Sequence, residues 1–205
     1  MVEIDRLIAP QRTVNSNYVA KLAASLPAEP TLQDLLELCV SPKRKMDPIQ
    51  HLEISQNVHV FTSPNADMRF LGTFLKPLAS QDLEYAVVGG NPAAAIISFV
   101  GYGASPVNVF HANGRVILNN GFHRIYAIRS RGITHVPVVV QHVQNPALEL
   151  PDVIAGLPKT YLLTAPRPVL MKDFLVDDFS IALRFADRLK TITINVSVGQ
   201  HDVPA

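Results

Sequence analysis

The sequence predicts a mixed α/β (α+β) fold, and three stretches predict it. "ILNNGFHRIYAIRSRGITHVPVVV", residues 117–140, reads as strand, polar turn, helix, Gly stop and strand. "PVNVF" and "RVIL" are β-branched runs flanking "HANG", whose Asn113–Gly114 pair is the strongest short hairpin signal. Near the N-terminus, "VNSNYVAKLAASL" sets Val14, Tyr18, Val19, Leu22 and Leu26 at helical spacing.

Along the chain, residues 1–47 read as an N-terminal helical extension and linker. After the first helix, Thr31 can cap "TLQDLLELCV", with Asp34 three residues on in a near capping box. "SPKRKMDP" breaks structure with two prolines and reads as an exposed connection. Residues 48–145 form the expected core. "NVHVFTS" alternates as a strand, and "LEYAVVGG" fits no single period. "NPAAAIISFVGYG" is expected to be a helix. Asn91 would be its N-cap, Pro92 would take the first position, and Gly101 or Gly103 would stop it. Residues 107–110 and 115–118 should pair antiparallel, and Val138 of "VPVVV" should be core. Residues 146–205 form a C-terminal helix–strand extension packed on the core. Its helix runs through "VLMKDFLVDDFSIALRFADRLK" and its strand through "TITINVSVG".

Composition narrows the function classes. The 205 residues are 48% hydrophobic and 17% charged, enough for a sizeable core. Lys+Arg is 18 and Asp+Glu is 17, so no broad basic field exists for duplex DNA, and specific duplex binding is not expected. Cys39 is the only cysteine, so no internal disulfide and no cysteine-based zinc site can form within one chain. The start, "MVEIDRLIAP", carries early acids and is not expected to be a secretory signal. The longest nearly apolar run, residues 93–104, is too short for a bilayer, so a cytoplasmic protein without membrane contact is expected.

The chemistry-bearing stretch is the turn Asn119, Asn120, Gly121, Phe122, His123, Arg124. With Asn120 as N-cap, the N–H groups of Gly121 to His123 would point out of the helix end, where the macrodipole is positive. A phosphate or carboxylate fits such a site. Gly121 would let a ligand approach the backbone, Arg124 could fork onto a phosphate, and His123 could donate or relay a proton. The plainer alternative is an ordinary β–α–β turn.

The longer pattern adds to this. "GFHRIYA" is followed after four residues by Gly132, and then by "VPVVV". Over about residues 92–142 this resembles the ParB/sulfiredoxin-like superfamily, which carries Gly–x–(His/Arg)–Arg–x–x–Ala at a helix start and Val–Pro–Val in the next strand. The resemblance implies a ParB/sulfiredoxin-like core of mixed sheet and helices. It also implies a nucleoside triphosphate and Mg2+ at the turn. Carried over by position, Gly121, His123 and Arg124 would hold phosphates. Asn119 and Asn120 belong to the phosphate-approach loop by geometry only. His123 and Arg124 are the candidate catalytic pair. Two departures matter. Sulfiredoxins place their catalytic Cys, and partition proteins a Glu, where Phe122 stands. No metal ligand is identified.

Other candidates have bland readings. Asp173 and Asp177 would be four apart on a helix, where a solvated face is the commoner case. Asp82 and Glu84 could supply a general base only if folded toward the turn. His51, His59, His111, His135 and His142 form no His-x-x-x-His pair. Ser55, Ser63 and Ser105 lack a nucleophile-elbow context. The leading expectation is a nucleotide-phosphate-binding protein performing phosphoryl transfer or NTP hydrolysis on a small molecule. The alternatives are a non-catalytic interaction protein keeping the fold, with a protein partner or a second copy, and a ParB-like nuclease.

Overall fold

Strands and helices are interleaved along the chain, as a mixed α+β class requires. The computed structural model describes residues 1–40, 47–65, 67–79, 92–103, 106–186 and 188–204. In chain order come β1 (Val2–Glu3), α1 (Ser16–Ala24), α2 (Leu32–Cys39), β2 (Gln50–Ser55), β3 (Val58–Ser63), β4 (Met68–Pro77) and β5 (Ala94–Tyr102). Then follow β6 (Asn108–Ala112), β7 (Arg115–Asn120), α3 (Phe122–Ser130), β8 (His135–Val136), β9 (Val139–His142) and α4 (Pro146–Glu149). The last are β10 (Val153–Ile154), β11 (Leu157–Pro158), α5 (Lys159–Thr164) and β12 (Lys190–Asn195).

These elements form two compact units. The first joins Met1–Arg44 to Ala104–Arg184, and the second joins Lys45–Gly103 to Phe185–Ala205. The sequence reading cuts the chain instead at 47/48 and 145/146.

The first unit is built on the sheet β7–β6–β9. β6 pairs antiparallel with β7 and parallel with β9. Asn113 (φ 51°) and Gly114 (φ 72°) close the β6–β7 hairpin, both in the left-handed region that an Asn-Gly turn supplies. Backbone near Ile8 extends the sheet on the β7 side. Ile8 donates to the Val116 carbonyl at 2.9 Å, and its own carbonyl accepts from Leu118 at 2.9 Å. On its other side, Met171 donates to Leu7 and Ala9 to Val169.

Alternation along these strands feeds two cores. Val109 and Leu118 face one that holds Val19, Leu22, Leu35, Leu38 and the α3 residues Phe122, Ile125 and Ile128. Phe110 and Ile117 face the other, with Leu150, Ile154 and Leu162. The sheet is thus covered on both faces. Each large side chain fully buried here contributes about 1.5–3 kcal/mol.

The second unit contains an antiparallel sheet of order β12–β3–β2 and a long β4–β5 ribbon. The ribbon has a bulge at Phe70/Gly72 and a Thr73–Ser98 hydroxyl contact of 3.0 Å across it.

Several expectations need correction. The helix expected from Pro92 is strand β5. Its Ile96, Ile97, Phe99 and Val100 favour a pleated surface, and pairing with β4 decides the matter. Its proposed cap Asn91 lies outside the described residues, as do Asp82, Glu84, Ser105 and most of the 41–48 connection.

The long C-terminal helix does not form either. Residues Met171–Leu175 and Asp177–Phe179 make short 3-10 turns, and among the described residues no regular structure follows until β12. Asp173 accepts from the Leu170 N–H at 2.9 Å and is gripped by Arg167 at 2.9 Å. Such side-chain bonds to nearby backbone compete with a helix. Asp173 and Asp177 are therefore not a helical metal pair. In "VPVVV", Val136 is fully buried, while Val138 is only half-buried at the edge of the core.

Candidate functional site

The turn between β7 and α3 is tighter than the sequence reading expects. Asn119 and Asn120 belong to β7, and Asn120 pairs with Asn108 across the ladder. They do not form an approach loop. The helix N-cap is Gly121, not Asn120. Its backbone is left-handed (φ 96°, ψ 18°), and its carbonyl accepts the first helical bond from Ile125 at 3.0 Å. A Cβ at Gly121 would lie 2.5 Å from Val107 Cγ2. Glycine is therefore demanded twice, by φ and by close packing of strand on turn. The first-turn N–H groups belong to Phe122, His123 and Arg124, one residue later than expected.

Each side chain of the motif has a place in the fold. Phe122 is buried and meets the Phe174 ring edge-on at 5.0 Å. His123 is half-buried, and its Nε2 accepts from the Asn15 N–H at 3.1 Å. That bond assigns the lone pair to Nε2 and hence the neutral tautomer with the proton on Nδ1. Asn15 is the N-cap of α1, accepting from the Tyr18 N–H at 3.0 Å, and the Tyr18 ring sits edge-on to His123 at 5.4 Å. His123 thereby braces the start of α1.

Arg124 is 7% exposed. Its Nη1 donates to the carbonyls of Leu38 and Cys39, each at 3.3 Å. Those carbonyls end α2, where intrahelical partners run out. The guanidinium points into the protein rather than toward an open helix end. The Cys39 carbonyl also accepts from the Val107 N–H at 2.6 Å, and the Cys39 residue is fully buried.

Sequence reasoning missed the wider pattern: arginines on and beside this motif tie up carbonyls. Arg131, just past α3, donates to Ala23 at 2.8 Å, Ala28 at 3.0 Å and Pro27 at 3.1 Å, around the end of α1. Arg115 does the same at the end of α5, with Ala165 at 2.8 Å and Leu162 at 3.2 Å. Arg129 forms a two-pronged pair with Asp5 at 2.7 and 3.1 Å. The hydrogen bond from Arg129 holds the Asp5 carboxyl below its ordinary value of 3.8, against a smaller upward push from burial. The only sequence signal was arginine density around a helix whose apolar residues are core.

One polar atom has no assigned role. Asn108 Oδ1 is buried without a hydrogen-bond partner among the described residues. Asn108 stands opposite Asn120, next to the turn.

Mg2+ takes oxygen ligands in near-octahedral geometry. The first turn of α3 carries no acidic residue, and among the described residues no three metal-binding side chains converge. No family model, curated protein or solved structure matches the chain. Among the described residues no helix is long and apolar enough to cross a membrane.

Proposed function

We propose that this chain is a non-catalytic interaction protein. It keeps a ParB/sulfiredoxin-like arrangement whose signature turn serves the fold. One observation carries this reading: the Arg124 guanidinium is buried against the Leu38 and Cys39 carbonyls. A phosphate fork would need that group turned outward. The order β6, Asn-Gly hairpin, β7, Gly121, α3, Gly132, β8 and β9 supports the superfamily resemblance over residues 106–142. The helix counted upstream of it is strand β5. Exposed aromatic surface supports an interacting protein: Phe70, Phe74 and Phe99 of the β4–β5 ribbon are 50%, 47% and 46% exposed.

A second reading keeps a ligand at the turn, as in NTP hydrolysis or phosphoryl transfer. Asn108 favours it, because a buried acceptor without a partner would suit a ligand hydroxyl or amino group. His123 would have to give up Asn15 to act on such a ligand. Arg124→Ala separates the two readings. Removing the guanidinium takes this donor from the Leu38 carbonyl, at about 1–3 kcal/mol, while the Cys39 carbonyl keeps the Val107 N–H. The interaction reading expects a clearly lower melting temperature and no calorimetric response to NTP with Mg2+ in either protein. An unchanged melting temperature with a roughly tenfold loss of nucleotide affinity would establish the phosphate site instead. Salt-sensitive retention of the wild-type chain on DNA would favour the nuclease reading.

A further inference from the structure

Two histidines eight residues apart in sequence meet on the β12–β3–β2 sheet. His51 Nε2 of β2 lies 3.2 Å from His59 Nδ1 of β3, with the rings stacked at 5.3 Å. Phe61 stacks on His51 from the same strand as His59, at 4.7 Å. Pairing sets Glu53 directly opposite His59. Residues two apart on a strand share a face, so His51, Glu53, His59 and Phe61 all stand on one side of the sheet.

We propose that His51, His59 and Glu53 form a surface site for a divalent transition-metal ion of the Zn2+ type. Imidazole is a preferred ligand for zinc, copper and nickel. Zinc–nitrogen bonds of about 2.0–2.1 Å at a tetrahedral angle span an N···N distance of about 3.3 Å. The observed 3.2 Å matches that bite. The same distance accommodates a shared N–H···N bond when no metal is present, so the pair is held ready. Phe61 fixes the His51 ring. Glu53 supplies the third donor by rotating its exposed side chain toward the pair, and water completes the tetrahedron. Among the described residues no third group is already in place, so the carboxylate moves on binding.

The molecule holds its own comparison. His111 and His142 also bring nitrogens to 3.2 Å, across the parallel β6–β9 pair. Across β7, however, His111 faces Val116, so that pair has no carboxylate in register.

The test is titration of the tag-free, full-length protein with zinc chloride. Heat is measured by calorimetry, and the imidazole resonances are followed by NMR. Zinc should shift both His51 and His59. His51→Ala and His59→Ala should each weaken binding at this site by at least roughly tenfold, as loss of a metal partner does. Glu53→Gln should weaken it severalfold, while His111→Ala should leave it unchanged. Wild-type spectra in which His51 and His59 stay unmoved at millimolar zinc overturn the proposal, whatever the variants do. So does a zinc response confined to His111 and His142, or an affinity that both His51→Ala and His59→Ala leave intact.

Discussion

Gly121 shows how one residue type can be demanded by two constraints at once. Its left-handed φ alone would tolerate asparagine, but Val107 Cγ2 occupies the space of any Cβ. Gly121→Ala should therefore destabilise the protein by about 2–4 kcal/mol, from backbone strain plus overpacking. A shifted urea midpoint at constant slope is the expected readout, and a midpoint within error of wild type would refute the placement.

Asp5 makes a different single-residue prediction. Its folded carboxyl titrates below the unfolded value of 3.8 because Arg129 hydrogen-bonds it. A depressed folded value means stability is present above the unfolded value and is lost as pH falls through the folded one. Wild type should lose stability progressively below about pH 4. Asp5→Asn should start lower and show a shallower acid loss. Parallel acid-denaturation curves for the two proteins would remove Asp5–Arg129 from the account.

Helix ends govern behaviour one scale up. Thr31 and Asp34 close both halves of a capping box: Thr31 Oγ1 accepts from the Asp34 N–H at 3.3 Å, and Asp34 Oδ2 accepts from the Thr31 N–H at 2.8 Å. At its other end, α2 is met by Arg124 and Val107. Thr31→Ala should cost about 1 kcal/mol, read as a lower denaturation midpoint with native circular dichroism retained. No change in midpoint would mean that packing of Leu35 and Leu38 alone holds the helix. The box was legible in the sequence because its partners are three residues apart, and the Asn113–Gly114 hairpin was legible for the same reason. The strand character of β5 was not. Ala94 and Ala95 are good helix formers, and the competing partner β4 lies some twenty residues upstream. The chain after Val169 also carried helical spacing, but Leu7 and Arg167 captured Met171 and Asp173 first. The turn at Gly121 was recognised as special, but its direction was not. Nothing local says whether Arg124 faces a ligand or the end of a helix eighty-five residues earlier.

At the scale of the whole molecule, the N-terminal and 104–184 segments share one core, while 45–103 forms part of another unit. Val2 and Glu3 pair with Val136 and His135, and Ile8 lies beside β7. The first forty residues are therefore built into the motif's own unit. The segment between them leaves and returns at nearly the same point, because the Cys39 carbonyl accepts from Val107 N–H at 2.6 Å. A short Gly/Ser linker could replace residues 45–103 without stretching either end, and exchanging a long loop for a short one changes closure entropy only slowly with length. The shortened chain, ending at 184, keeps every residue of both cores. It should retain a single cooperative thermal transition and the near-ultraviolet signature of its buried Phe122–Phe174 contact. A chain that instead binds hydrophobic dye and melts without cooperativity would show that the first unit depends on the second, and that the motif's core is not self-sufficient.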